Sequence, residues 1–220
     1  MNKAAFIFDL DGVIVDTAKY HFQAWKKLAD ELGIPFTELD NERFKGVSRR
    51  RCLEILLEIG GTSMSEPDFE SCLIRKNNDY LTYIETMNEE EILPGVPEVL
   101  EYLKSREIPM ALGSASKNAR VILEKVGLIP YFQAIVDGTQ VTAAKPDPDV
   151  FLHAANLLNA ENEECIVIED AQAGIEAANR AGMTSIGIGD KEILGQADYV
   201  FKSFDEMRLD WLDELLAVKS

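Results

Sequence analysis

Two aspartates stand two residues apart at the end of an apolar run near the start of the sequence. The run AAFIFD (4–9) continues into Leu10, Asp11 and Gly12. Side chains two apart on an extended backbone point the same way, so Asp9 and Asp11 face one site if the run is a strand. Gly12 lets the chain turn there without a steric penalty. The carboxyl end of a parallel strand is a common ligand site, although a solvated strand end is also consistent with such a pair.

Three later segments bring polar residues of complementary kinds. Ser114 precedes a helical pattern, where its hydroxyl and nearby amides could hold a phosphate. Lys145 precedes a proline that favours extended backbone, and its ammonium could neutralise a phosphoryl oxygen. Glu169 and Asp170 offer oxygen ligands that suit magnesium. Taken singly, each has an ordinary interpretation as a capping loop, a solvated lysine or an acidic helix cap, but chance makes the whole set improbable.

The elements that must position these residues are buried strands. Runs that are apolar at consecutive positions suit strands of a parallel sheet covered on both faces. The sequence contains such runs at AAFIFD (4–9), PMALGS (109–114), FQAIVD (132–137), ECIVIED (164–170), TSIGIG (184–189) and DYVF (198–201).

Amphipathic helices with readable ends lie between the strands. The patterns predict helices over 116–126 and 171–181, each followed by a glycine, and a third with Asp147 as N-cap and Pro148 in its first turn. Strand and helix repeated in this way predict an α/β fold with a doubly wound parallel (Rossmann-like) sheet.

Residues 17–91 break this rhythm, because they contain helical patterns and no convincing strand. A helix over 98–104 then leads back to the next strand. We therefore expect an α/β catalytic core made of 1–16 and 92–220, with 17–91 inserted as a small all-helical cap domain.

Composition limits the function classes. The 220 residues include 46% apolar residues, enough for a sizeable core, and a formal charge of −17 that opposes binding to nucleic acid or to an anionic membrane. No run approaches the roughly 20 apolar residues of a membrane span, and the start does not resemble a signal peptide. The three cysteines form no metal-binding or disulfide pattern. We expect a cytoplasmic protein with reduced cysteines that acts as a monomer.

The motifs FDLDG (8–12), Ser114, Lys145 and ED (169–170) resemble, in order, those of the haloacid-dehalogenase-like phosphotransferase superfamily. The resemblance implies that Asp9 forms an aspartyl-phosphate, that Asp11 is the general acid/base and that Mg²⁺ is the cofactor. It implies a phosphoryl-binding set of Ser114, Ala115 and Lys145, and a metal site of Asp9, the Asp11 backbone carbonyl and Asp170, with Glu169 assisting.

The helical segment resembles a narrower family. Thr17, His21 and Trp25 share one helix face, which more often marks a core or interface histidine. However, TAKYHFQAW (17–25), KGVSR (45–49), RKNNDY (75–80) and SASKN (114–118) together resemble the β-phosphoglucomutase family.

That resemblance implies a hinge at Thr17, with His21 coupling cap closure to Asp11, and an Arg49 that grips the distal phosphate. Arg50 and Arg51 are expected to be solvated, and Cys52 departs from an expected hydroxyl residue. The implied substrate-binding residues are His21, Trp25, Lys45, Gly46, Val47, Ser48, Arg49, Lys76, Ser116, Lys117 and Asn118.

The expected reaction is the interconversion of β-glucose 1-phosphate and β-glucose 6-phosphate through glucose 1,6-bisphosphate. A sugar-phosphate or phosphoglycolate-type phosphatase would share every core residue and differ in letting water attack the aspartyl-phosphate. A non-catalytic protein-binding module is disfavoured, because no core motif residue is missing.

Overall fold

A computed structural model describes residues 4–44 and 47–218, and its centre is a six-stranded sheet in which every neighbouring pair is parallel. The spatial order is β3-β2-β1-β4-β5-β6. The strands are β1 (Ala5–Phe8), β2 (Met110–Gly113), β3 (Ala134–Val136), β4 (Cys165–Glu169), β5 (Thr184–Ile188) and β6 (Tyr199–Phe201). The predicted α/β class with a doubly wound parallel sheet is confirmed.

The helices cover both faces of the sheet and build the segment between β1 and β2. The α-helices are α1 (Ala18–Glu31), α2 (Glu38–Glu42), α3 (Arg49–Gly60), α4 (Glu66–Ile84), α5 (Val96–Ser105), α6 (Ala119–Lys125), α7 (Asp149–Leu158), α8 (Gln172–Arg180) and α9 (Leu209–Val218). Short 3₁₀ helices occupy Glu89–Glu91, Ile129–Tyr131, Asn162–Glu164 and Phe204–Glu206.

Strand β1 lies at the centre, between β2 and β4. The chain winds outward through β2 and β3 on one side and through β4, β5 and β6 on the other. The strand order therefore reverses beside β1, and a crevice forms there at the carboxyl ends of the strands. Phe8 pairs with Leu112 on one side and with Ile168 on the other, so the residues after these three strands emerge at the same edge.

Alternate residues of β1 face different hydrophobic clusters. Phe6 and Phe8 pack with residues of α5, α6 and α9, whereas Ala5 and Ile7 pack with residues of α7 and α8. Every residue of β1 is fully buried, which explains why its sequence is apolar without alternation.

Helices α1, α3 and α4 enclose a third cluster that contains Trp25, Leu53, Leu56 and Phe69. The two chain segments that connect this helical part to the sheet run side by side. Val15 and Ile92 form an isolated antiparallel bridge, and the Asp16 N–H donates to the Glu91 carbonyl at 3.0 Å. The division into a 17–91 cap and a two-part core stays a prediction, but a paired two-segment connection of this kind is suited to act as a hinge.

Two predicted helix starts were wrong. Helix α6 begins at Ala119 instead of residue 116, because the preceding amides bond to serine hydroxyls in tight turns. Helix α7 begins at Asp149, with Pro148 at the N-cap position. The Asp147 carboxylate accepts the Asp149 N–H at 3.0 Å, so it caps the helix from one residue further out than the sequence suggested.

The remaining predicted elements agree more closely. Helix α5 extends beyond the predicted 98–104 at both ends, and α8 lies within one residue of its predicted bounds. Cys52, Cys72 and Cys165 are buried and form no disulfide. Across 4–44 and 47–218, no helix combines the length and the apolar character needed to cross a bilayer.

Candidate active site

One cavity of about 1220 Å³ opens where the carboxyl ends of the central strands face the helical segment. The parallel pairing of β1 with β2 and β4 brings Asp9, Ser114 and Asp170 to it, and the loop before α7 adds Lys145. The predicted residues that line it are Asp9, Asp11, Thr17, His21, Trp25, Val47, Ser48, Arg49, Lys76, Ser114, Ala115, Ser116, Lys117, Asn118, Lys145 and Asp170. Lys45 and Gly46 lie outside the described residues.

Lys145 is the centre of a buried ion network. Its ammonium lies 2.5 Å from Asp9 Oδ1 and 2.7 Å from Glu169 Oε1, and it donates to the Gly113 carbonyl at 3.1 Å. An ammonium has three protons, and these acceptors use all of them. Lys145 therefore fixes the Asp9 carboxylate in place, and a phosphoryl oxygen on Asp9 would have to share a proton that already has an acceptor.

The network shifts the pKa values of both partners. Burial raises the pKa of Asp9 to about 7, with further rises from the charges of Glu169 and Asp11, and the Lys145 ammonium opposes these effects. Burial alone would lower the pKa of Lys145, but the charges of Asp9 and Glu169 raise it. Lys145 thus remains a cation, which keeps the buried carboxylate beside it usable as a nucleophile.

Glu169 lies beneath the cavity and is fully buried. Its second oxygen, Oε2, accepts the Ala171 N–H at 2.8 Å, so both carboxylate oxygens have partners within the chain. A Cβ at Gly174 would stand 1.9 Å from Glu169 Oε1, so the bare glycine makes room for this carboxylate. Glu169 was predicted to assist the metal, and its contacts show that it also holds Lys145.

The acidic residues fit a hard cation. Asp9, Glu169 and Asp170 each offer a carboxylate oxygen, and these oxygens all lie within 4.8 Å of one another. A Cβ at Gly12 would stand 2.2 Å from Asp170 Oδ2, so only glycine lets the Asp170 carboxylate approach the turn after β1. An all-oxygen set of this kind matches the preference of magnesium.

The loop after β2 turns through serine–amide hydrogen bonds before its helix begins. The Ser114 hydroxyl accepts the Ser116 N–H at 3.1 Å, and the Ser116 hydroxyl accepts the Asn118 N–H at 3.2 Å. Within the described residues the Ala115 N–H has no hydrogen-bond partner and remains available to an anion. The predicted phosphate site at a helix N-terminus therefore needs correcting, because α6 begins only at Ala119.

Asp11 connects the sheet to the helical segment. Its Oδ1 accepts a hydrogen bond from the Thr17 hydroxyl and lies 3.7 Å from His21 Nε2. Burial would raise the pKa of Asp11, but bonding and charge from His21, with a smaller effect of Thr17, lower it overall. These effects favour the ionised form of Asp11, which accepts hydrogen bonds through its carboxylate.

Behind His21 lies a buried lysine. Lys76 Nζ stands 3.0 Å from His21 Nδ1 and lies over the rings of Trp25 and Tyr80. A protonated Lys76 can only donate to Nδ1, so the neutral imidazole then carries its proton on Nε2, facing Asp11. Burial lowers the pKa of His21, and the charge of Lys76 lowers it further against the opposing effect of Asp11.

Burial also lowers the pKa of Lys76, to about 7. Lys76 is only 2% exposed, and its aromatic neighbours replace the carboxylate that usually pairs with a buried ammonium. The predicted substrate residue Trp25 is likewise 2% exposed. Its ring packs against the Lys76 ammonium, and Trp25 also lines the cavity.

Arg49 and its two neighbours have different surroundings. Arg49 is half-buried at the start of α3, and no carboxylate of the described residues lies within 4.0 Å of it. Burial lowers its pKa. Arg50 pairs with Glu66 and Glu70, and Arg51 pairs with Glu54 and Glu58, all at the surface. The expected difference between Arg49 and its neighbours is visible in these contacts.

The sheet and the helical segment also touch directly. Asn118 Nδ2 donates to Asn77 Oδ1 at 2.9 Å, which joins the loop after β2 to α4. Lys117 is exposed on the same loop.

Cys52 is buried, and its Sγ lies 3.7 Å from the Phe44 carbonyl oxygen. Burial raises the pKa of the Cys52 thiol to about 12. The thiol therefore stays neutral, and its contact is with Phe44 of the same helical segment.

Two residues of this site escaped the sequence prediction. Asn77 and Tyr80 both stand in the motif RKNNDY (75–80), from which the sequence predicts only Lys76 as a site residue. Tyr80 lies one helical turn beyond Lys76, so the i, i+4 spacing was the available signal.

Relatives of known name resemble the chain over nearly its full length. A protein from Bacillus subtilis (strain 168) named β-phosphoglucomutase is 44% identical over 212 residues, covering 96% of this chain and 94% of that protein. A protein from Thermotoga maritima named phosphorylated carbohydrates phosphatase is 34% identical over 219 residues, covering 96% of this chain and 99% of that protein.

Solved structures and family models agree with these relatives. The crystal structure of a β-phosphoglucomutase from Clostridium difficile matches with a TM-score of 0.94 and 42% identity, covering 99% of this chain and 98% of that one. The model of haloacid dehalogenase-like hydrolases matches residues 3–182. The chain therefore belongs to the haloacid dehalogenase-like hydrolase family.

Proposed function

We propose that this protein is a β-phosphoglucomutase. It interconverts β-glucose 1-phosphate and β-glucose 6-phosphate through an aspartyl-phosphate on Asp9 and an enzyme-bound glucose 1,6-bisphosphate. The relatives of the same name from Bacillus subtilis and Clostridium difficile support this assignment.

One observation carries the proposal beyond the family chemistry. The cavity that contains Asp9 also contains Arg49, a half-buried guanidinium with no carboxylate partner among the described residues. A mutase must hold two phosphoryl groups of one sugar, one for transfer and one for anchoring. An unpaired arginine opposite the nucleophile supplies the second anion site, because its planar fork binds phosphate by parallel hydrogen bonds.

The proposed cycle begins with Asp9 phosphorylated. The 6-hydroxyl of β-glucose 1-phosphate attacks the phosphorus, the bond to Asp9 breaks, and Asp11 accepts the hydroxyl proton. The bisphosphate then turns, and the Asp9 carboxylate attacks the phosphorus on C1. The C1 oxygen leaves with the proton that Asp11 returns, which regenerates phosphorylated Asp9 and releases glucose 6-phosphate.

The chain's own groups make these steps electrostatically possible. Lys145 holds the attacking carboxylate and balances its charge, while the Ala115 amide and the Ser114 loop face the transferred group. We assign Mg²⁺ as the cofactor, held by Asp9, the Asp11 backbone carbonyl and Asp170 with Glu169 assisting. When bound, it screens the repulsion between the carboxylate and the phosphoryl oxygens.

The helical segment 17–91 would act as a cap that closes on the sugar. Thr17 lies in the connection to the sheet, and Arg49, Lys76 and His21 reach the cavity from the helical side. Sugar and distal-phosphate contacts would favour closure, which excludes water and brings Asp11 into working position. As part of the same proposal, the enzyme is a cytoplasmic monomer that acts on sugar phosphates and binds neither nucleic acid nor membranes.

A sugar-phosphate phosphatase is the second candidate, favoured by the 34% identical Thermotoga maritima relative. The two differ only in whether water attacks phosphorylated Asp9. The test supplies β-glucose 1-phosphate with magnesium and a trace of bisphosphate primer, and measures glucose 6-phosphate against inorganic phosphate. We expect glucose 6-phosphate to form much faster, with a lag when primer is omitted that acetyl phosphate shortens. Phosphate release that matches glucose 6-phosphate formation would favour the phosphatase.

A further inference from the structure

The hydroxyl of Tyr80 is buried without a hydrogen bond. The side chain is fully buried within α4, and no described residue accepts from or donates to its oxygen in normal geometry. An unpaired buried hydroxyl is unfavourable by about as much as a lost hydrogen bond, and phenylalanine would fill the same space without that cost. The hydroxyl must therefore be balanced by something that this conformation does not show.

The ring of Tyr80 already supports the acid/base network. It stacks on the His21 imidazole with ring centroids 4.2 Å apart and an interplanar angle of 30°, and Lys76 Nζ lies 4.6 Å from its centroid. Tyr80 thus contacts both residues behind Asp11. The ring explains the packing at this position but gives no role to the oxygen.

Thr17 offers the acceptor that the hydroxyl lacks. Thr17 lies one helical turn before His21, whose imidazole stacks on the Tyr80 ring, and the Thr17 hydroxyl and His21 Nε2 both face Asp11 Oδ1. Thr17 is itself fully buried and gives its only proton to Asp11 Oδ1, which leaves lone pairs on Oγ1 free to accept. Thr17 also lies in the segment that connects the sheet to the helices, so a small hinge movement changes its distance to α4.

We propose that Tyr80 is a positioning residue for Asp11, and that its hydroxyl donates to Thr17 Oγ1 when the helical segment closes over a bound sugar phosphate. The inference deepens the proposed function and rests on it for the identity of the sugar. A hydroxyl that accepts from Tyr80 must direct its own single proton elsewhere, and the Asp11 carboxylate is the acceptor already in contact. The bond would thus hold Asp11 as an oriented acceptor during proton transfer.

The test is Tyr80→Phe, which removes only the oxygen, with Tyr83→Phe as its control. Tyr83 is half-buried on the same helix and lies outside the cavity. We expect Tyr80→Phe to keep or raise Tm, because an unpaired hydroxyl is removed. Its kcat for sugar phosphate should fall about three- to ten-fold, the size of one neutral hydrogen bond, with KM changed less than about two-fold. Phosphorylation of Asp9 by acetyl phosphate and all properties of Tyr83→Phe should stay unchanged.

A double-mutant cycle with Thr17→Ala tests the route through Thr17. If Tyr80 acts through that hydroxyl, Tyr80→Phe should have little further effect on kcat in the Thr17→Ala background. An equal effect in both backgrounds would overturn the proposal. So would an unchanged kcat, equal losses with sugar phosphate and acetyl phosphate, or a lowered Tm, which would mean that the hydroxyl is already bonded at rest.

Failure of this inference can be told from failure of the mutase assignment. If the parent enzyme releases phosphate from sugar phosphates instead of isomerising them, the mutase assignment fails. Even then, the ratio of sugar-phosphate turnover to acetyl-phosphate turnover in Tyr80→Phe reports on Tyr80. Proton transfer at the sugar oxygen is needed by a phosphatase as well as by a mutase.

Discussion

The half of the site carried by strands holds an ion network whose partners are all in place, whereas the half carried by helices holds polar groups that lack a carboxylate or hydrogen-bond partner among the described residues. Around Asp9, every proton of Lys145 has an acceptor and both oxygens of Glu169 have donors. On the helical side, Arg49 has no carboxylate and the Tyr80 hydroxyl has no partner within the described residues. The ion network around Asp9 is thus preorganised, whereas Arg49 and the Tyr80 hydroxyl on the helical side still lack such partners.

The difference has a physical origin. Parallel strands fix their carboxyl ends relative to one another through backbone hydrogen bonds, which suits a buried charge network that tolerates no misplacement. The helical segment has its own apolar cluster and meets the sheet through two paired connections. Substitutions in the strand-borne half should therefore slow phosphoryl transfer from every donor. Substitutions in the helix-borne half should slow the turnover of sugar phosphates selectively.

The largest effect is expected for Asp9→Asn. The amide keeps the shape of the side chain but is not a nucleophile, so turnover should fall by at least about four orders of magnitude with both sugar phosphate and acetyl phosphate. Parallel activity and circular dichroism measurements check this. Retention of near-parental activity in a folded variant would remove Asp9 from its role.

Asp11→Asn should lower sugar turnover by about a hundred- to ten-thousand-fold, the range for a lost acid/base. Acetyl phosphate has a good leaving group that needs no protonation, so phosphorylation of Asp9 by it should fall much less. Rapid-quench measurement of phosphoenzyme with the two donors gives the ratio. Equal losses would place Asp11 in the strand-borne half instead of between the halves.

Arg49→Ala should reduce sugar-phosphate turnover by about ten- to a hundred-fold and leave acetyl phosphate unaffected, because only the sugar carries a second phosphate. Arg49→Lys should recover only part of the loss, since an ammonium lacks the planar fork. Arg50→Ala is the matched control, because that side chain is paired with Glu66 and Glu70 at the surface. Unchanged kinetics of Arg49→Ala would reduce Arg49 to a solvated charge.

Lys76 makes stability depend on pH. Burial lowers its folded-state pKa from 10.5 to about 7, so between those values the unfolded chain binds more protons and this group favours the folded state increasingly as pH rises. Below the folded-state pKa the buried charge carries its full penalty. We expect the Tm difference between Lys76→Met and the parent to shift in favour of the parent as pH rises through this window. Scanning calorimetry across it checks the sign, and a constant difference would contradict the lowered pKa.

The smallest effect is expected for Asn77→Ala, which removes one hydrogen bond between the two halves. Sugar turnover should fall about two- to ten-fold, the size of one neutral hydrogen bond. Because Asn118 is the partner, Asn77→Ala and Asn118→Ala should be non-additive in kcat/KM. Additive effects would show that the contact contributes nothing to closure.

Local pattern was enough to predict most of the fold. Consecutive apolar residues marked all six strands, and glycines marked helix ends, because both signals depend on backbone geometry that neighbouring residues set. The predicted start of α6 was three residues early and that of α7 one residue early, because side chains of Ser114, Ser116 and Asp147 bond to amides and delay the first helical turn.

The sequence by itself determined which residue types meet at the strand ends, since the two-residue period of a strand directs Asp9 and Asp11 to one side and parallel pairing brings later strand ends beside them. Only the tertiary structure decided which side chains are in contact. Lys145 reaches Asp9 across 136 positions, Asn118 reaches Asn77 across 41, and Tyr80 lies against His21. Such contacts depend on how separate hydrophobic clusters pack, and no local periodicity encodes that packing.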